Sequence, residues 1–86
     1  MRNKTDVRKI SNWKERQLDL LHRASFGKLS YRHIIISDIS DYIKIANLLL
    51  DEKYKKADRV ISDLDTCERE NIPNYIRDII DKHLDS

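Results

Sequence analysis

Residues 30–51, SYRHIIISDISDYIKIANLLLD, decide how the fold is read, because neither glycine nor proline interrupts them. On a helical wheel Ile35, Ile39, Tyr42, Ile43, Ala46, Leu49 and Leu50 form one apolar stripe. Ile34, Ile45 and Leu48 form a second stripe on nearly the opposite side. A helix that is apolar on two sides belongs at the centre of a bundle or at a contact between copies. A strand is excluded, since no other segment alternates at period two to pair with it. Ser37-Asp38 and Ser40-Asp41 are both N-cap sequences. The segment is therefore either one helix or a short helix over 30–37 continuing into a longer one over 38–51.

Working outward, Ser11 is a cap for a helix over 11–25, in which Ile10, Trp13, Leu18, Leu20, Leu21 and Ala24 gather on one side and Phe26-Gly27 end the run. Residues 1–9 precede that cap as a flexible basic arm. On the other side of the central segment, DEKYKK over 51–56 is the polar run in which a turn fits. Beyond it Tyr54, Ala57, Val60, Ile61, Leu64 and Cys67 make a stripe for a helix over 53–71. An unbroken helix over 40–70 also satisfies the spacing, but it would leave a face uncovered in so short a chain. The hairpin is the preferred reading. Asn71-Ile72-Pro73 marks a boundary, and Ile72, Tyr75, Ile76, Ile79, Ile80 and Leu84 give the stripe of a last helix over 73–84. The expected fold is all-α: residues 1–86 as one domain, a small bundle of four to five helices around an apolar central helix.

Two resemblances accompany this reading. Tyr42 to Leu64, with Ala46 and Leu49 before the turn and Tyr54, Ala57, Ile61 and Leu64 after it, resembles one hairpin of a tetratricopeptide-type repeat. The resemblance implies antiparallel helices that approach closely at their alanines, though the family's glycine at the turn is missing. Leu29-Ser30-Tyr31-Arg32 followed by Ile34 resembles the start of the helix-turn-helix at the DNA-reading end of sigma factors. That likeness implies a second, recognition helix from Ser40. Asp41, Lys44 and Asn47 are the polar groups such a helix would carry, a poor set for base edges or phosphates.

Composition narrows function further. An 86-residue chain buries one modest core and leaves little room for a deep catalytic cleft. The single cysteine forms no internal disulfide, and no Cys/His group has zinc spacing, so no metal or cofactor is expected. Arg16-x5-His22 and Arg77-Asp-x4-His83 have the loose Arg/His spacing of helical ribonucleases, a pattern expected by chance in a chain with this many arginines and histidines. No nucleophile and base pair stands out, and the chain is read as non-enzymatic. No apolar run is long enough to span a membrane, and the first ten residues lack the apolar core of a signal peptide, which points to the cytoplasm.

The net charge of +2 hides a polarity: residues 1–33 hold nine Lys/Arg against three acids, and residues 34–86 hold eight against twelve. The candidate contact residues are therefore Arg2, Lys4, Arg8, Lys9, Lys14, Arg16, Arg23, Lys28 and Arg32. Their expected use is a regulator or adaptor that meets another protein with an acidic surface, helped by an apolar patch. The alternative is a nucleic-acid-binding regulator that turns the same residues toward DNA or RNA, with Trp13 and Tyr31 as stacking groups, although Trp13 on the apolar side of its helix reads first as core. A homodimer is a further option if the second stripe of the central helix is left uncovered.

Overall fold

The computed structural model describes residues 4–25 and 32–84, with the backbone alone for Ser25 and residues 32–35. The chain forms α1 (Lys4–Ser25), α2 (Arg32–Leu50), α3 (Tyr54–Asp63), α4 (Thr66–Glu70) and α5 (Asn74–Leu84), and no strand occurs among the described residues. This is the all-α bundle that the hydrophobic spacing predicts. The Phe26-Gly27 stop, the Ser30 cap and Tyr31 lie outside the described residues.

α2 is the organising element. It runs unbroken from Arg32 to Leu50, which is the one-helix alternative, so no separate helix begins at Ser37-Asp38 and no recognition helix begins at Ser40. The physical reason is that Ser37 and Ser40 fall on its exposed side while Ile36, Ile39 and Tyr42 carry the inward stripe across them. α1 lies along α2 and touches α5, α3 folds back on α2, and α5 closes against α3. Ile10 and Trp13 from α1, Tyr42, Ile45, Ala46 and Leu49 from α2, Ala57 and Ile61 from α3, and Ile72, Ile76, Ile79 and Ile80 at α5 form one continuous core. Fully burying a side chain such as Ile45 or Leu49 contributes about 1.5–3 kcal/mol each. Ile45, from the second stripe, is wholly buried and Leu48 is half-buried against the core, so within this chain those two positions do not call for a second copy.

The preferred hairpin is present, and its turn explains itself. Lys53 donates its N–H to the Leu48 carbonyl at 2.8 Å and Glu52 donates to Leu49 at 3.1 Å, the paired bonds of a Schellman end. That geometry puts Glu52 at φ 63°, the left-handed region where glycine sits most easily. Ala46 and Ala57 are both wholly buried in the shared core, which lets α2 and α3 come close.

Three boundary expectations are corrected. The basic arm is helical from Lys4 onward, and Ser11 caps nothing. Asp6, Ile10, Trp13 and Gln17 fall on one buried side, Asp6 sits in the favourable first turn, and Lys82 Nζ reaches Asp6 Oδ2 at 2.6 Å, which ties this end to α5. The helix expected over 53–71 is two: Leu64 is extended, and Asp65 caps α4 by accepting the Glu68 N–H at 2.9 Å. Because that break resets the helical phase, Cys67 is exposed and is not the core residue its spacing with α3 suggests.

Candidate functional site

The predicted contact residues are brought together mainly by α1. Lys4, Arg8, Lys9, Arg16 and Arg23 are exposed on it and Lys14 is half-buried. Arg32 stands at the first position of α2, with its side chain outside the described set, and Arg2 and Lys28 lie outside the described residues altogether. Lys9, Arg16 and Arg23 recur every seventh residue, so they fall on nearly one line of the helix, each about 10 Å from the next. Glu15 and Asp19 are exposed as well. Asp19 Oδ2 lies 3.3 Å from Arg23 Nη2, an ion pair one turn apart with both side chains well exposed. Such a pair contributes little stability and leaves most of the field of the row open to a partner.

The opposite flank of α1 is mixed: Leu18 is 44% exposed, with half-buried Leu21 one turn after it and half-buried Lys14 one turn before it. Leu18 was expected in the core; Ile10 and Trp13 take the inward positions instead, Trp13 at 3% exposed and tilted against Tyr42 with ring centres 5.8 Å apart. Trp13 is thus a core residue and offers no stacking surface.

A second charged region forms where α4 meets α2, and sequence reasoning missed it. Asp38 and Asp41, three residues apart on one side of α2, meet Asp65 and Glu68 from the start of α4. Burial, then the hydrogen-bonding Asp41 carboxyl and the charges of Asp38, Asp41 and Asp65, push Glu68 up to about 7. Burial also raises Asp38 from the ordinary carboxylate value. The Tyr42 hydroxyl donates to the Glu68 carbonyl at 2.8 Å, and burial followed by the Asp38 charge pushes that phenol up to about 12. The sequence signal for the region was Asp65-x-x-Glu68, a capping-box pattern that announces a new helix start.

Two grooves are lined by described residues. One, about 210 Å³, lies between α3, α4 and α5 and is lined by Asp58, Ser62, Arg69, Arg77 and Asp81 over a floor of Ile61 and Ile80. Arg77 there donates to the Arg69 carbonyl at 3.0 Å. The other, about 530 Å³ and open, carries Lys53, Lys55 and Lys56 around a Tyr54–His83 stack with ring centres 4.0 Å apart. Arg77 and His83, paired in the ribonuclease-like spacing, therefore face different grooves. Among the described residues no group of three or more His, Cys, Asp or Glu is arranged to hold a metal ion, and no helix is long and apolar enough to cross a membrane.

Fold and surface together define a small all-α bundle with a basic helix on one side and an acidic junction on another. No family model, no curated protein and no solved structure matches the chain.

Proposed function

We propose that the protein is a non-enzymatic binding module, a regulator or adaptor, whose α1 meets an acidic surface of another protein. The observation that supports this is the exposed row Lys9, Arg16 and Arg23 on one line of α1, joined by Lys4 and Arg8. Charges so placed raise encounter rates and fix orientation, while Leu18 on the other flank adds the apolar contact that slows departure. A protein partner is favoured over nucleic acid because the exposed Leu18 offers an apolar contact that a phosphate backbone cannot use. The burial of Trp13 removes one of the two stacking groups that a single-stranded partner would use. A cytoplasmic setting suits the exposed thiol of Cys67, which an oxidising compartment would expose to disulfide exchange between chains.

The test is a titration of the chain with an Asp/Glu-rich peptide, duplex DNA and structured RNA, each at two salt concentrations. Saturable binding to the acidic peptide, lost in the Lys9→Gln, Arg16→Gln, Arg23→Gln triple variant, is the expected result. Tight binding to DNA or RNA with a steep salt slope transfers the reading to nucleic acid. Binding to none of the three ends it.

A further inference from the structure

We propose that the α2–α4 junction is a pH-operated latch, in which α4 docks on α2 while the Glu68 carboxyl carries a proton and lets go when that proton is lost. α4 has only five residues and none of them is buried, so the core holds it through its flanks alone, Leu64 before it and Ile72 after it. Its own contacts with the other helices are polar, the Tyr42 hydroxyl on the Glu68 carbonyl and Arg77 of α5 on the Arg69 carbonyl, while Asp65 caps it from within.

Glu68 is the residue that turns inward, and its Oε2 is shut away from water with no hydrogen-bond partner. The groups facing it are Asp38, Asp41 and Tyr42 from α2 and Asp65 from the loop before α4, while the Arg77 contact from α5 goes to the Arg69 carbonyl. Ionised carboxylates only accept hydrogen bonds, so four of them together supply no donor to one another. One proton on Glu68 changes this. The neutral carboxyl donates to Asp41, and one negative charge leaves a cluster whose members repel.

The direction of the pH effect follows from the two states. Docked Glu68 holds its proton up to about 7, against an ordinary value of 4.5 for a solvated glutamate. Between those values the docked state binds more protons than the released one, so docking weakens steadily as pH rises through that interval and changes no further above it. Tyr42, pushed to about 12, keeps its hydroxyl proton throughout and is not the group that switches. Release removes the acceptor of the Tyr42 hydroxyl and uncovers the side of α2 next to Trp13.

Cys67, the chain's single cysteine, is exposed on α4 and accepts a trifluoromethyl tag whose ¹⁹F shift reports docking. The full chain is titrated from pH 4 to 9 while the Glu68 side-chain carboxyl is followed by ¹³C resonance. The expected result is a Glu68 midpoint about 2 units above that of a solvated glutamate, with a ¹⁹F transition at the same pH. Glu68→Gln should remove the ¹⁹F transition and hold the signal at its low-pH position. Asp41→Asn should bring the Glu68 midpoint down, which keeps the test decisive if Glu68→Gln fails to fold. A Glu68 midpoint in the ordinary glutamate range, or a ¹⁹F signal that does not move between pH 4.5 and about 7, overturns the proposal.

Discussion

The two ends of the α1–α2 pair are built differently. At one end the first half of α1 and the second half of α2 are enclosed by α3 and α5, and Ile10, Trp13, Ile45, Leu49, Ile76 and Ile80 share one core. At the other end Ala24 and Ile39 are buried outside that core, Ile36, Leu20, Leu21 and Ile43 are half-buried, and Leu18 is exposed. α4 docks at the boundary, against Asp38, Asp41 and Tyr42. The basic row on α1 spans both ends, from Lys9 beside the core to Arg23 beyond it. The contrast teaches that stability is concentrated at the enclosed end, while the exposed charges of α1 contribute almost nothing to folding.

The largest effect expected from this contrast is in the core. Ile45→Ala or Ile76→Ala should cost about 2–5 kcal/mol in denaturant unfolding, because each side chain is wholly buried and its neighbours cannot collapse into the gap. Ile39→Ala, buried outside the main cluster, should cost less. Equal losses would break the comparison. Amide exchange should show the same order, with α1 protected more strongly over 9–14 than over 18–24.

Lys82→Ala comes next, at about 1–2 kcal/mol. The Asp6 side chain is only 11% exposed and would lose its cation, whereas half of Lys82 already lies in water and limits the effect. A smaller change of opposite sign is expected at the turn. Glu52→Gly should stabilise the hairpin by about 0.5–1 kcal/mol, since glycine adopts the left-handed conformation without the steric cost.

Much of this architecture was legible in the sequence, for reasons that particular residues make clear. Tyr54, Ala57, Val60, Ile61 and Leu64 read as one stripe because burial leaves a helical period, and their observed burial follows it. Asn71-Ile72-Pro73 read as a boundary because proline cannot continue a helix, and α5 begins at Asn74. What escaped was set by contacts between distant segments. α1 is helical already at Lys4, and Asp6 in its first turn meets Lys82 on α5, a pairing that no local pattern announces. The acidic junction needed Asp38 and Asp41 to meet Asp65 and Glu68 across the fold, and in sequence each pair reads as an ordinary cap. Cys67 and Leu18 were assigned to the core because a stripe was carried past the point where the phase breaks or the packing ends. The basic row needed only the charge count and a helix, but residues 1–9 read as a flexible arm while Lys4, Arg8 and Lys9 stand on α1.

The smallest stability effect belongs to the most consequential change. Replacing Lys9, Arg16 and Arg23 with glutamine touches only exposed side chains, so the stability should stay within about 0.5 kcal/mol of the parent. Binding of the Asp/Glu-rich peptide should nevertheless be lost. Measuring both on the same triple variant is the most direct test of the claim that recognition resides on the open side of α1 and stability in the enclosed end. An unchanged melting midpoint with binding abolished is the result expected. Peptide binding retained at parental affinity, or a fold that melts with the loss of these three charges, would contradict it.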